Sequence, residues 1–531
     1  MSGYQVHPYS FDALQRLFQK HAGASEEFVA GKFHSIYFRD YFRALKAKTI
    51  VVEEHYVDRD YLEDFVGYYG RCFRPPDRYC VRIHFFKSSF AVEDLDNFLA
   101  NQSHRTSFLR SKLNSKQYLG FVVVKPLPQT FIGRTCLRTY PTESTGRHFP
   151  ALRNYDVSLF GVSLTVRSLA FQEQDTEVAR CATAALWSTF QGTATRFGHP
   201  VPTPVEITKH AMALHGLQSR TLPAKDGLTL EQMGDAIRKM NLEPHFSEVP
   251  RREDLQAEAY AYLRAGVPVV MVASLVDTQD RLKAKRDRGR WDGRHALVLT
   301  GYHMSNQSVL TFGDTSMYWR ATRIDKFYAH DDQVGPFSRL VLSASGSFYE
   351  WDDELRRSRK TYFMESSWAG DSEELGSVFV VPETLIVPLY PKMRITFREA
   401  LKGMKEFASL LGNLSGFGYV SLPGVLEWDL FLTTGSELKS ELFDAQLITG
   451  AYAQEILSQS MPRFLWRAVA CQGEVPVLEL LFDATAILQG NFFFRAIEYD
   501  RKVLRVLRNP NAVGFADDSI TLAMLEWFRD N

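Results

Sequence analysis

The chain has 531 residues, too many for a single hydrophobic core, so we expect about two to four domains. Hydrophobic residues make up 45% of the chain and charged residues 23%, and the 62 basic residues balance the 62 acidic ones. The composition is that of an ordinary globular protein; it gives no indication of nucleic-acid binding or of attraction to an anionic membrane, and no apolar run of about 18 residues predicts a membrane span.

The first residues, MSGYQVHPYSF, lack the pattern of a secretory signal, and the second residue is Ser2 where myristoylation requires glycine. The five cysteines are odd in number and scattered: Cys72, Cys80, Cys136, Cys181 and Cys471. Only the first two are near each other, and their spacing is not that of a zinc knuckle. We therefore expect reduced thiols, a cytoplasmic location, and neither a metal nor another cofactor.

Residues 1–150 predict a mixed α/β domain without a catalytic signature. The segments FDALQRLFQK and YFRALKAKTIVVEE carry apolar residues at three- and four-residue spacing, which predicts helices. YCVRIHFF and YLGFVVVKPLP are rich in aromatic and branched residues, which predicts strands. His84 lies among aromatic residues and is predicted to be a core residue rather than a ligand.

Residues 151–357 predict a second domain, organised around the segment EVARCATAALWSTFQ. Its alanines, and the apolar face continued by Trp187 and Phe190, predict a helix that two strands over 151–175 precede. Cys181 lies in the first turn of this helix, where free N–H groups favour a thiolate. More helices follow, and then RHALVLTGYH predicts a buried strand with His295 near its start.

A nucleophilic cysteine needs a base and a group that orients the base. The imidazole of His295 is suited to take the thiol proton and later to protonate a leaving amine. A third polar group should fix the tautomer of the ring. Asp331, in FYAHDDQVGP, is the favoured candidate because a strand ends there in a turn with Gly and Pro; Asp314, in TFGDTS, is the alternative.

RCATAALWSTF, then GRHALVLTGYH, then a strand-end aspartate, together resemble the papain-like cysteine peptidases over about residues 155–345. The nearest branch is the bacteriocin-processing, double-glycine peptidase type. The resemblance implies an α+β fold, with a papain-like core over 151–357 between mixed α/β domains over 1–150 and 358–531. It also implies that Cys181 is the nucleophile, His295 the general base, and Asp331 or Asp314 the orienting residue.

The chain departs from this family pattern in three places. Ala182 follows the cysteine where the family has glycine, and neither candidate aspartate is followed by proline. The family's oxyanion glutamine, six residues before the cysteine, falls on Asp175. The adjacent Gln174, together with the backbone N–H of Cys181, is the predicted oxyanion-binding pair.

The segment 281–290, RLKAKRDRGR, has six basic residues and one acidic residue. One interpretation is a solvated loop. The other is that it borders the cleft upstream of His295, where it recruits an acidic or phosphate-bearing partner or acts as a lid. Without interleaved aromatic residues the segment does not indicate nucleic-acid binding.

Residues 358–531 predict a carboxy-terminal α/β domain that selects the substrate or a partner, preceded by a polar boundary over 358–377. Prolines are expected to break the strands that follow this boundary. Asp483, at the end of a buried strand, is predicted to form a turn.

The sequence thus favours an intracellular cysteine peptidase that cleaves a peptide or isopeptide bond of a protein or peptide substrate through a thioester. Two alternatives stay open: transglutaminase- or amidase-like acyl transfer, and a non-catalytic binding or regulatory protein that retains the papain-like scaffold.

Overall fold

The structure is a computed structural model, which describes residues 3–142, 145–175, 177–178, 180–212, 227–277, 294–311, 317–342, 347–352, 357–366, 378–416, 425–487, 491–500, 505–508 and 519–530. Helices and strands are mixed throughout, which confirms the α+β class. Among the described residues, none of the helices is long and apolar enough to cross a membrane.

The helices are α1 (Phe11–Ala22), α2 (Glu26–Gly31), α3 (Phe33–Leu45), α4 (Arg59–Gly67), α5 (Val92–Ala100), α6 (Gln102–Ser111), α7 (Cys181–Phe197), α8 (Pro204–Met212), α9 (Leu230–Lys239), α10 (Arg252–Arg264), α11 (Phe397–Gly416), α12 (Gly435–Ala445), α13 (Gly450–Ser458) and α14 (Ser519–Asp530).

The strands are β1 (Tyr4–Pro8), β2 (Thr49–Tyr56), β3 (Cys80–Phe86), β4 (Tyr118–Val124), β5 (Ile132–Leu137), β6 (Arg147–His148), β7 (Arg153–Leu159), β8 (Val162–Ser168), β9 (Glu243–Glu248), β10 (Val269–Asp277), β11 (Arg294–Met304), β12 (Leu310–Thr311), β13 (Tyr318–Trp319), β14 (Ile324–Asp331), β15 (Gly335–Val341), β16 (Ser347–Asp352), β17 (Arg357–Tyr362), β18 (Met364–Ser366), β19 (Val378–Leu389), β20 (Glu427–Thr434), β21 (Phe464–Gln472), β22 (Val475–Asp483) and β23 (Phe493–Glu498).

The chain divides into two compact units, each assembled from three stretches of sequence. Unit 1 comprises Met1–Glu248, Gly266–His303 and Lys326–Pro388, and unit 2 comprises Val249–Ala265, Met304–Asp325 and Leu389–Asn531. The sequence predicts three consecutive domains. The boundary predicted at 150/151 falls inside unit 1.

Unit 1 has an antiparallel sheet in the order β1-β2-β3-β4-β5. Strand residues alternate between its two faces, so Ile50 and Val52 pack with α1 and α3, whereas Val51 joins a core that contains Trp187 of α7 and Val270 of β10. Because this second core spans the predicted 150/151 boundary, the amino-terminal sheet and the cysteine helix belong to one compact unit.

The larger sheet of unit 1 carries the candidate site. Its order is β10-β11-β14-β15-β18-β19-β9, and β6 pairs with β11. Strand β19 pairs antiparallel with β18 and also with β10, so the sheet closes on itself. β18 and β19 begin after residue 357. The closed sheet therefore includes residues beyond the predicted 357/358 boundary.

Three local predictions differ from the structure. In YFRALKAKTIVVEE the helix α3 ends at Leu45, and the β-branched run from Thr49 forms β2. In the predicted boundary loop, residues up to 366 form β17 and β18, while 367–377 lie outside the described residues. β19 continues through Pro382, which lies where its register with β10 shifts; such an irregularity accommodates a residue without an N–H.

Unit 2 has a six-stranded sheet in the order β12-β13-β20-β21-β22-β23. Strand β13 pairs in parallel with β20, and the other neighbours are antiparallel. Helices α12 and α13 pack Leu438, Leu442 and Ile456 against one part of the sheet. Asp483 at the end of β22 accepts hydrogen bonds from Thr485, which confirms its predicted turn role.

Candidate active site

Cys181 is the first residue of α7. The first backbone hydrogen bond of this helix joins the N–H of Ala184 to the carbonyl of Arg180, 2.9 Å apart, and the side chain of Arg180 does not cap the helix. The N–H groups of the first turn thus lie beside the thiol with no acceptor inside the helix, which places partial positive charge there. Cys181 is half-buried, and the remaining described cysteines are buried except for the exposed Cys72.

His295 lies at the second position of β11, and its ring is buried. Its Nε2 atom lies 3.0 Å from Oδ1 of Asp331. A carboxylate can only accept, so Nε2–H donates this hydrogen bond. The side chain of Cys181 also hydrogen-bonds to the His295 ring, and we infer that Nδ1 faces the thiol because Nε2 is engaged with Asp331. The structure therefore brings together three of the predicted site residues: Cys181, His295 and Asp331.

Asp331 is the last residue of β14, which neighbours β11 in the closed sheet. The backbone N–H of Gln333 donates to its Oδ1 over 3.1 Å, and that of Val334 donates to its carbonyl over 3.0 Å. The turn ends at Gly335, where φ is +153° and an added Cβ would lie 2.4 Å from the ring of Tyr37. A tight turn that only glycine can complete thus fixes the orienting carboxylate.

Asp332 is a site residue that the sequence analysis missed. Its Oδ1 lies 3.5 Å from Nε2 of His295, and the residue is 4% exposed. Its own carbonyl accepts a hydrogen bond from Nε2 of His34, 3.0 Å away on α3. The available signal is the pair of adjacent acids in HDDQ, of which only the first was considered.

The electrostatics of the site favour a charged imidazole. Burial lowers the pKa of His295, but the carboxylates of Asp331 and Asp332 and its hydrogen bonds outweigh burial, so that the pKa lies well above its ordinary value. Burial raises the pKa of Asp332 to about 7; the imidazolium opposes this rise and Asp331 adds to it. At neutral pH, His295 is thus poised to hold the proton that it takes from the thiol.

The segment before Cys181 has an acid, Asp175, at the position where the sequence resemblance predicts a glutamine. Asp175 is buried and accepts hydrogen bonds from the Tyr69 hydroxyl and, over 2.9 Å, from the N–H of Glu177. Its carboxylate also lies 3.6 Å from Nζ of Lys125. Asp175 therefore shapes the approach to α7, whereas Gln174 is half-buried and its oxyanion role stays a prediction.

One atom each of His295, Asp331 and Asp332 lie within 4.8 Å of one another, close enough to surround a cation. A ring nitrogen that carries a proton has no lone pair for a metal, and Nε2 here donates to Asp331. This arrangement is typical of a histidine oriented by a carboxylate.

No family model matches the chain, and the search of curated proteins finds no match. The assignment of the site thus depends on its geometry.

Two other predicted features lie outside the described residues: the alternative orienting residue Asp314 and the basic segment 281–290. His84, by contrast, is one of the described residues. It is fully buried, and its Nδ1 lies 2.8 Å from the hydroxyl of Tyr118, which confirms its place in the core.

Proposed function

We propose that this protein is a cysteine peptidase, or a closely related thiol acyl-transfer enzyme, built on a papain-like core. The observation that carries the proposal is the continuous contact from Cys181 through His295 to Asp331. Burial increases along this series of three side chains, from the half-buried thiol of Cys181 to Asp331, which has 0% exposure. The reactive end thus meets solvent, and the orienting end is held in the interior.

In the proposed reaction, His295 takes the proton of the Cys181 thiol, and the thiolate attacks a peptide or isopeptide carbonyl. The imidazolium then protonates the leaving amine as the carbon–nitrogen bond breaks, which leaves a thioester on Cys181. Neutral His295 next activates an acceptor, which attacks the thioester and regenerates the thiol. Asp331 keeps Nε2 protonated throughout, so that the other ring nitrogen exchanges the proton with the thiol.

The developing oxyanion needs hydrogen-bond donors. The N–H groups of the first turn of α7 lie next to the sulfur and have no acceptor within the helix. We propose the N–H of Cys181 as one donor and the amide of Gln174 as the second.

The order of elements supports a papain-like scaffold. A cysteine at the start of the buried helix α7 precedes a sheet in which β11 carries the histidine and the neighbouring β14 the aspartate. We propose that the carboxy-terminal region over 358–531 selects the substrate or a partner, and that the basic segment 281–290 recruits an acidic partner. The cytoplasmic location stays a prediction.

Two observations bear on the alternatives. A thioester can be resolved by water or by an amine, so amidase- or transglutaminase-like transfer uses the same three side chains. A non-catalytic scaffold would not need a histidine whose pKa is held high beside a half-buried thiol. The raised pKa of His295 therefore favours an enzyme over a non-catalytic protein.

Alkylation of the thiols by iodoacetamide at pH 6, followed by peptide mass spectrometry, tests this proposal. Cys72 is an internal reference because it is exposed and has no histidine at hydrogen-bond distance among the described residues. We expect Cys181 to react at least tenfold faster than Cys72, because an imidazolium stabilises its thiolate. His295→Gln should remove this advantage and leave the labelling of Cys72 unchanged.

If Cys181 reacts no faster than Cys72, the enzyme proposal is wrong. If the thiol is reactive, comparing the peptides cleaved in a lysate by the wild type and by Cys181→Ala identifies the bond. Addition of a primary amine then separates hydrolysis from acyl transfer, because only a transferase incorporates the amine into product.

A further inference from the structure

The side chain of Asp332 is the least satisfied polar group in the candidate site. Neither carboxylate oxygen accepts a hydrogen bond from another of the described residues, although both oxygens are buried. The contact of Oδ1 with Nε2 of His295, at 3.5 Å, is an ion pair with the imidazolium. A buried carboxylate with few hydrogen bonds is costly. Besides the backbone N–H of Asp332 itself, this ion pair with His295 is the main compensation among the described residues.

The position of Asp332 is imposed by the backbone. Its carbonyl accepts the hydrogen bond from His34, and burial and the neighbouring Lys32 lower the pKa of His34 to about 3, so that this ring is neutral. The preceding residue is held by the turn that begins at Asp331. The hydrogen bond from His34 and the turn at Asp331 together fix the main chain at Asp332. The side chain of Asp332 is thereby kept against His295.

The charged groups that face Asp332 come from several elements. His295 on β11 is cationic, whereas Asp331 on β14 and Glu173 are acidic. Glu173 is itself paired with Lys32. The imidazolium is therefore the one cation in direct ionic contact with Asp332 among the described residues.

Resting on the proposed function, we propose that Asp332 is a second positioning residue: its carboxylate stabilises the imidazolium of His295, and its protonation weakens that stabilisation. The active site thus has two carboxylates with different tasks. Asp331 accepts the hydrogen bond that fixes the ring, and Asp332 adjusts the charge that the ring can hold.

This division of tasks makes the site sensitive to pH near neutrality. Because burial raises the pKa of Asp332 to about 7, its carboxyl changes charge in the physiological range. Above that pH two anions face the imidazolium, and below it only Asp331 does. His295 therefore gives up its proton more readily as Asp332 becomes neutral.

The direct test is an NMR titration of the His295 ring in full-length protein labelled with ¹³C-histidine, with its signal assigned by its loss in His295→Gln. In the wild type we expect an inflection of the His295 signal near pH 7, while the ring stays protonated. In Asp332→Asn the inflection should disappear and the pKa of His295 should fall by about 1 to 3 units. Asp332→Glu should restore part of the shift.

Asp64→Asn is a matched control because Asp64 is also buried, also has an unpartnered carboxylate oxygen among the described residues, and also has a raised pKa from burial. It should leave the titration of His295 unchanged. The wild-type titration does not depend on Asp332→Asn, so the test survives even if that variant fails to fold.

A His295 signal without an inflection between pH 6 and 8 in the wild type would overturn the inference. So would an unchanged pKa of His295 in a folded Asp332→Asn protein. Selective labelling of Cys181 decides the proposed function separately: if that labelling depends on His295 but not on Asp332, the enzyme proposal stands and this inference falls.

Discussion

Nε2 of His295 and Oδ1 of Asp331 lie 3.0 Å apart across neighbouring strands of a closed sheet, and both side chains are almost fully excluded from solvent. A hydrogen bond to a carboxylate is stronger in such surroundings than in water. It fixes which ring nitrogen faces the thiol of Cys181, and the first prediction follows from it.

Asp331→Asn should lower kcat by about 10³- to 10⁴-fold, because an amide can donate to Nε2 and so favour the wrong tautomer. The alternative orienting residue supplies the control: Asp314→Asn should change kcat by no more than a few-fold. Steady-state kinetics on a cleaved peptide measures both variants. A large loss in Asp314→Asn with little loss in Asp331→Asn would reverse the assignment.

Gln174→Ala should lower kcat by about 10²- to 10³-fold and leave the alkylation rate of Cys181 unchanged, since an oxyanion donor acts only once substrate charge develops. An equal loss of labelling would show that Gln174 supports the thiol instead.

Asp175→Gln introduces the glutamine that the sequence resemblance predicts at this position, but we expect lower stability and no gain in turnover. The carboxylate holds Tyr69 and the N–H of Glu177, and it also lies near Lys125. Thermal unfolding measures the stability of this variant, and steady-state kinetics measures its kcat. A rise in kcat would mean that Asp175 already occupies the oxyanion site.

Acidification should destabilise the fold through its buried neutral histidines. Burial lowers the pKa of His34 and of His330 to about 3. Between pH 6.5 and 3 the unfolded chain binds a proton at each position that the folded chain does not, so the free energy of unfolding falls as pH falls, by about 1.4 kcal/mol per pH unit per histidine.

Urea unfolding of the wild type and of His34→Gln at pH 6, 5 and 4 measures this slope. The glutamine amide can still donate to the carbonyl of Asp332, so the variant should lose one histidine's contribution to the slope and keep the hydrogen bond. His55→Gln, at an exposed residue, is the control and should keep the wild-type slope.

Gly335→Ala should destabilise unit 1 by about 1 to 3 kcal/mol, because the new Cβ would meet the ring of Tyr37, whose hydroxyl is tied to the carbonyl of Pro336. It should also slow the labelling of Cys181, since the turn holds Asp331. Gly161→Ala has a positive φ but open space around the Cβ, and should cost about 1 kcal/mol without slowing the labelling. Thermal unfolding and labelling compare the two variants.

The sequence contained enough to place Cys181, His295 and Asp331, because each belongs to an element with a strong local pattern. Asp332 was missed for a geometric reason. Side chains alternate along a strand, so neighbours 331 and 332 are expected on opposite faces. β14 ends at Asp331, however, and the turn directs the next side chain toward the same histidine.

The two-unit division was not predictable from local patterns. Residues 305–325 follow β11 directly, yet Tyr318 and Trp319 pair with Glu427 and Trp428, far along the chain. Such pairing depends on contacts between distant segments and leaves no periodicity in either strand. The strand β2 shows the smaller error: a helical spacing of apolar residues over 41–54 hid the β-branched run that begins at Thr49.

The pairing of β10 with β19 has a consequence for the order of synthesis. A ribosome releases Cys181, His295 and Asp331 well before β19, which begins at Val378. Until then, the edge of β10 that β19 will cover has unpaired backbone groups. If the proposed function is correct, we therefore expect the thiol of the emerging chain to become reactive only after most of the polypeptide has been made. A half-finished molecule would then have little capacity to attack the proteins being synthesised around it.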